Sequence, residues 1–187
     1  IEDTFNRSNN LIIIHSEKFL ELHKCTVFAY SLFYLGFLVN NINLSSFKDY
    51  TVFHKFEDCG AKAARLANDF VSFSRDLDEG YPFDYYVLIK QLELNCSMED
   101  ALSASVGLLN ELIISMYSLE KEMQNDPKYK DDQELFKAVA VQSFVHGLFD
   151  WSLNTKRYDR MSTTILVCRK QHMQLDFPFV AKFFGNL

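Results

Sequence analysis

Three oxygen-bearing side chains recur at intervals of four residues in the stretch LANDFVSFSRDLDEG, residues 66–80. Asn68, Ser72 and Asp76 stand at i, i+4 and i+8, so a helix would place them on one face. Four residues advance a helix by about 6 Å and turn it through about 400°, which arranges the three donors as a shallow fan. Amide, hydroxyl and carboxylate oxygens suit Mg²⁺, which takes one or two carboxylates together with substrate phosphates. The spacing therefore indicates a magnesium site, and the alternative interpretation is a polar stripe that faces water.

The chain that must position this stripe has the pattern of an all-α protein. It contains only three prolines, each where a helical pattern breaks, and its apolar residues recur with a helical period. We expect Ser16 to be the N-cap of a helix that runs to about Val39. A short helix over about 47–56 and a longer one from about Cys59 to Leu77, which carries the stripe, should follow.

The second half of the chain predicts three more helices. One lies near residues 83–94, and the next begins after Ser97, whose side chain is expected to cap it with Asp100 three residues further on. A charged loop, NDPKYKDDQE, separates that helix from a last long one over about 134–158. The apolar tail that follows is expected to pack as a lid or a terminal helix.

Composition narrows the class of protein. The length of 187 residues fits one domain, and the net charge of −6 argues against nucleic-acid binding. The longest apolar run, residues 26–39, is shorter than the roughly 20 residues that a membrane span needs. The four cysteines lie far apart, so we expect reduced core thiols in a cytoplasmic protein.

The stripe resembles the metal motif of the class I terpene synthases, which has the form N-D-x-x-S-x-x-x-E. Asn68, Asp69 and Ser72 match it, and Arg75 fills the basic place that often precedes the acid. Asp76 stands where the family has Glu, which shortens the reach of the carboxylate by roughly 1.5 Å.

Two further marks support the resemblance, which spans about residues 16–160. The family has an Arg-Tyr pair after a Trp, and this chain has Trp151 before Arg157 and Tyr158. The family also has a helix of the form Y-L-x-x-R-x-x-T whose Arg senses the diphosphate. KFLELHKCT matches that form, with His23 in the place of the Arg, 45 residues before Asn68. A His lacks the bidentate fork, so we expect slower or altered ionisation of the substrate.

The resemblance implies a Mg²⁺-dependent terpene synthase, a lyase of isoprenoid biosynthesis. In this family three Mg²⁺ ions hold the diphosphate of a prenyl substrate such as farnesyl or geranyl diphosphate and help it leave, which produces an allylic carbocation. One ion would sit on Asn68, Ser72 and Asp76. The other ions belong to an upstream aspartate-rich motif that residues 1–187 lack, since the pair Asp131-Asp132 follows the stripe. The chain is therefore expected to be the C-terminal part of one catalytic domain, a partial terpenoid-synthase-type helical bundle that is inactive alone.

The resemblance also implies a substrate site. Arg157 and Tyr158 would act in catalysis by closing over the diphosphate, which His23 and Arg75 would also contact. Phe73 and Trp151 would line the hydrocarbon cavity, and ring faces stabilise carbocations. Other aromatic candidates for that cavity are Phe33, Tyr34 and Phe70. Each assignment has a simpler alternative: a cation near a helix C-terminus for Arg157, a surface ion pair for Arg75, and plain core packing for the aromatics.

Two other functions remain open. The first is a non-catalytic α-helical binding or interaction protein with a degenerate metal motif. The second is a prenyl-chain elongating enzyme of the same architecture. Such enzymes use aspartate-rich pairs on both metal helices, and Asn68 with Ser72 argues against that reading.

Overall fold

The structure is a computed structural model that describes residues 15–78 and 85–142, without the side chains of residues 71 and 73–78. Within these residues the chain forms six α-helices and one short 3-10 helix, and no strand. The all-α prediction is confirmed. The helices are α1 (Ser16–His23), α2 (Ala29–Val39), the 3-10 helix (Leu44–Ser46), α3 (Thr51–Asp78), α4 (Tyr86–Leu94), α5 (Met98–Asn125) and α6 (Gln133–Gln142).

The two longest described helices, α3 and α5, form the centre of the bundle. Each has 28 residues, and they pack against one another along their length. At one side α4 packs on α5 and on α1, while α2 and α6 pack on α3 and on each other. The core between these helices is rich in phenylalanine. Its largest fully buried side chains are Phe33, Phe37, Phe47, Phe53, Phe56, Leu66, Phe70, Met116, Met123, Leu135 and Gln142.

The first predicted helix is interrupted, so the prediction of one helix to Val39 was wrong. The backbone N–H and the hydroxyl of Thr26 both donate to the carbonyl of His23, at 2.9 and 2.7 Å, and this turn ends α1. Phe28 then adopts a left-handed conformation, with φ of 58°, before α2 begins. The N-cap prediction for Ser16 was also wrong, since His15 holds that position and the Ser16 hydroxyl donates to Glu93 of α4.

Helix α3 is continuous where two helices were predicted. Gly60 lies within it, and a Cβ at that position would stand 3.4 Å from both Met116 of α5 and Phe33 of α2. The glycine therefore allows three helices to approach closely and does not end α3. At about 1.5 Å per residue the uninterrupted helix is about 42 Å long.

Helix α5 follows its prediction closely. The Ser97 hydroxyl accepts the backbone N–H of Asp100 at 3.1 Å and donates to the Asp100 carboxylate at 2.7 Å, so the capping prediction is confirmed. The loop that follows is present as turns over residues 126–132. The last predicted helix begins at Gln133 and is described as far as Gln142. Residues 143–158 and the apolar tail lie outside the described residues.

One described helix, Met98–Asn125, is long and apolar enough to cross a membrane by length and composition. The core helix of a soluble protein passes the same test. The apolar run 26–39 forms a shorter helix, of 11 residues, in which Phe33 and Phe37 are buried.

The cysteines within the described residues are free thiols. Cys59 and Cys96 are half-buried, but Cys25 is exposed, so the prediction of core thiols was wrong at that position. Cys168 lies outside the described residues.

Candidate functional site

The predicted metal stripe lies in the C-terminal half of α3, and its members differ in exposure. Asn68 is exposed, whereas Ser72 is only 4% exposed. The side chain of Asp76 lies outside the description. The alternative interpretation, a polar stripe that faces water, therefore does not hold at Ser72.

The Ser72 hydroxyl has two defined partners. It lies 2.9 Å from the backbone carbonyl of Asn68, one turn earlier, and 3.2 Å from the phenol oxygen of Tyr85. A carbonyl can only accept, so the single Ser72 proton goes to Asn68, and Tyr85 must be the donor in the second contact. One lone pair of the Ser72 oxygen then remains. The Ser72 hydroxyl, with one lone pair unused, and the exposed Asn68 amide one turn earlier on the helix are of the oxygen-donor types that Mg²⁺ takes.

Asp69, the second residue of the motif, is buried and joins α3 to α4. It is 1% exposed, and its carboxylate accepts the backbone N–H of Tyr86 at 2.9 Å. Tyr86 is the first residue of α4, where the helix dipole favours a negative charge. The same carboxylate lies 2.9 Å from the guanidinium of Arg65. Asp69 therefore links the middle of α3 to the start of α4.

Arg65 connects the predicted metal motif, which contains Asp69, to the segment KFLELHKCT in the N-terminal part of the chain. Its other terminal nitrogen donates to the Thr26 hydroxyl at 2.9 Å, and its guanidinium carbon lies 5.9 Å from the centroid of the Phe19 ring. Phe19 and Thr26 are both positions of the pattern that contains His23. Two sequence motifs 45 residues apart thus meet at one buried arginine.

His23 belongs to the same group of side chains. It is half-buried at the end of α1, and its ring stacks on Phe19 with centroids 4.1 Å apart and planes 15° apart. Phe19 therefore packs against His23, and Arg65 lies over the same ring. Through Phe19, His23 is linked to Arg65 of the helix that carries the predicted metal stripe.

Four alternating charges fix the end of α1 to α3. Lys24 and Lys62 each pair with both Glu21 and Asp58, and the Lys24–Glu21 and Lys62–Asp58 distances are both 2.7 Å. Hydrogen bonds from Lys24 and then from Lys62 lower the pKa of Glu21. The group attaches the end of α1, where His23 lies, to α3.

The other predicted site residues divide into two sets. Phe33 and Phe70 are buried in the core at 0% and 1% exposure, whereas Tyr34 is exposed. Among the side chains that the structure describes, no group of three or more His, Cys, Asp or Glu could hold a metal ion. The predicted residues whose side chains lie outside the description are Phe73, Arg75, Asp76, Trp151, Arg157 and Tyr158.

Two residues of this site, Arg65 and Tyr85, were not identified from the sequence. The opposite charges of Arg65 and Asp69 at i and i+4 are visible in the sequence, but such pairs are common on exposed helices. Their burial depends on the packing of α1 and α4. Nothing in the sequence indicates the contact between Tyr85 and Ser72, because the two residues are 13 positions apart and meet through the packing of α4 on α3.

Comparison with known families gives a match that covers these residues. The profile of the family described as "Terpene synthase family 2, C-terminal metal binding" matches residues 6–114, which include His23, Arg65 and the stripe from Asn68 to Asp76. Neither a curated protein nor a solved structure was found to match the chain. Because the matched residues make up more than half of the chain, the protein belongs to terpene synthase family 2.

Proposed function

We propose that the full-length protein is a Mg²⁺-dependent terpene synthase that ionises a prenyl diphosphate, such as farnesyl or geranyl diphosphate. Membership of the family supports a terpene synthase function in general. The observation that carries the finer proposal is the contact of Arg65 with both Thr26 and Asp69, at 2.9 Å each. This contact supports the proposal, because it joins the segment proposed to sense the diphosphate to the helix proposed to bind the metal.

Asn68, Ser72 and Asp76 would hold one Mg²⁺ ion. When bound, the ion would neutralise negative charge on the diphosphate and favour its departure. The Ser72 hydroxyl donates a hydrogen bond to the Asn68 carbonyl. It could therefore offer a lone pair to the ion without losing that hydrogen bond. Asp69 is committed to Arg65 and to the Tyr86 N–H, and its role is to hold the helix.

The remaining assignments complete the proposed enzyme. His23, Arg75, Arg157 and Tyr158 would contact the diphosphate, with Arg157 and Tyr158 acting in catalysis. Phe73 and Trp151 would line the cavity for the prenyl chain. Residues 1–187 would form the C-terminal part of one catalytic domain in a cytoplasmic protein, and partner residues for further Mg²⁺ ions would lie elsewhere in that domain.

Thermal unfolding with farnesyl or geranyl diphosphate tests this function against a non-catalytic binding protein. A ligand at a hundredfold excess over its Kd stabilises the folded state by about 2.7 kcal/mol, which raises Tm by about 5 °C or more. We expect that rise when Mg²⁺ and prenyl diphosphate are both present, and its loss with EDTA. A Tm that prenyl diphosphate leaves unchanged with and without Mg²⁺ would support the non-catalytic alternative.

A further inference from the structure

We propose that Tyr85 is a positioning residue for the metal site, which acts through the hydroxyl of Ser72. The inference rests on the proposed function, because it takes Ser72 to be a Mg²⁺ ligand. Tyr85 is the residue immediately before α4, and its side chain is 5% exposed. Its phenol oxygen lies 3.2 Å from the Ser72 oxygen, and the contact is buried.

The direction of the hydrogen bonds gives Tyr85 its role. Ser72 has one proton, which it donates to the Asn68 carbonyl at 2.9 Å. Tyr85 therefore donates to a lone pair of Ser72. With both bonds in place the hydroxyl can no longer rotate freely, and its remaining lone pair has one fixed direction. A ligand whose orientation is fixed before the metal arrives loses less conformational entropy on binding.

The position of Tyr85 is itself fixed by its neighbour. The backbone N–H of Tyr86 donates to Asp69 at 2.9 Å, and Asp69 lies on α3 three residues before Ser72. Asp69 is in turn paired with Arg65 at 2.9 Å. The start of α4 is thus attached to α3 at two points, one through the backbone of Tyr86 and one through the phenol of Tyr85.

The test uses Tyr85→Phe, which removes the phenol oxygen and retains the ring that packs. Mn²⁺ alone, which takes the same oxygen ligands as Mg²⁺, is titrated into the full-length protein and followed by electron paramagnetic resonance. Ser72→Ala identifies the Ser72-dependent site. We expect Tyr85→Phe to raise the Mn²⁺ dissociation constant of that site about tenfold, as removal of an outer-shell partner does.

The matched control is Tyr129→Phe, which removes a hydroxyl from another buried tyrosine. The ring of Tyr129 lies near that of Tyr50, with centroids 4.7 Å apart and planes tilted by 58°. The distance along α3 from Tyr50 to Ser72 is about 33 Å at 1.5 Å per residue. The control should leave the Mn²⁺ dissociation constant within about twofold of the wild-type value, because substitutions at such a distance couple only weakly to a binding site.

A double-mutant cycle separates positioning from general destabilisation. In the Ser72→Ala background, Tyr85→Phe should weaken Mn²⁺ binding no further, because the residue through which it acts is gone. The proposal is overturned if Tyr85→Phe binds Mn²⁺ as the wild type does, or if its effect is the same with and without Ser72. If Ser72→Ala itself leaves Mn²⁺ binding unchanged, the proposed metal site has failed, and the inference fails with it.

The contact between Tyr85 and the metal site can also be tested by nuclear magnetic resonance on the wild-type protein, so this test does not depend on whether a variant folds. With tyrosine labelled by carbon-13 at the phenol carbon, Mg²⁺ should shift the resonance of Tyr85 and leave that of Tyr129 in place. Equal shifts at both tyrosines, or none at Tyr85, would overturn the proposal.

Discussion

The guanidinium of Arg65 lies 2.9 Å from the carboxylate of Asp69, one turn further along α3, and both side chains are buried, at 7% and 1% exposure. A buried ion pair is retained at low cost only when each charge has further partners. Both have them here, since Arg65 also donates to Thr26 and Asp69 also accepts from Tyr86. The pair therefore holds three segments together: the end of α1, the middle of α3 and the start of α4.

Asp69→Ala should lower the free energy of unfolding by about 3–5 kcal/mol, because it leaves the Arg65 charge buried without its carboxylate. Urea unfolding measures the change. The double variant Arg65→Met with Asp69→Leu should be much less destabilised than the sum of the two single variants. A loss below about 1 kcal/mol for Asp69→Ala would show that the pair is not buried in solution.

Gly36→Ala and Gly107→Ala should change stability in opposite directions. A Cβ at Gly36 would overlap the Cγ1 atom of Val141 on α6, and such overpacking typically costs about 1–3 kcal/mol, against a gain of about 0.5–1 kcal/mol from the helix propensity of alanine, so a net loss is expected. A Cβ at Gly107 of α5 has no heavy atom within 4 Å, so alanine there should stabilise the helix by about 0.5–1 kcal/mol. Urea unfolding of both variants measures the two changes. Equal effects of the same sign would contradict the contact between α2 and α6.

Glu93 should make stability depend on pH in the acid range. Hydrogen bonds from Ser16 and then from Lys90 lower the pKa of Glu93 from 4.5 to about 2. Because the pKa of Glu93 is lower in the folded state, Glu93 contributes fully to the free energy of unfolding above pH 4.5. That contribution is lost as the pH falls through about 2.

Glu93→Gln should therefore unfold more easily than the wild type at pH 7, by about 1 kcal/mol for this partly exposed group. The difference in the free energy of unfolding between Glu93→Gln and the wild type should shrink as the pH falls from 4.5 towards 2. Urea unfolding across that range measures it, with Glu111→Gln on the exposed surface of α5 as the control for loss of one charge. A difference that stays constant with pH would contradict the hydrogen bonds from α1.

The sequence predicted the features of the fold that depend on local chemistry. The cap at Ser97 and the apolar period of α5 are properties of neighbouring residues, and both predictions are confirmed. The break after His23 was missed because it is stabilised across the bundle, where Arg65 donates to Thr26. The break predicted between residues 56 and 59 is absent, because this part of α3 packs closely against the helices that carry Met116 and Phe33, and the sequence pattern does not show that contact.

The same division applies to the candidate site. The spacing of Asn68 and Ser72 can be read directly from the sequence. The burial of Ser72 beneath Tyr85 cannot, since the two residues belong to different elements and meet through tertiary packing.

Turnover of prenyl diphosphate by the full-length variant Asn68→Ala with Ser72→Ala tests the metal assignment most directly. The matched control is Asn110→Ala with Ser115→Ala, which removes the same two side-chain types from α5. If the Asn68 and Ser72 oxygens hold Mg²⁺, the first variant should lose Mg²⁺-dependent turnover by at least a hundredfold while the control retains it. Turnover that survives the loss of both oxygens would contradict the assignment.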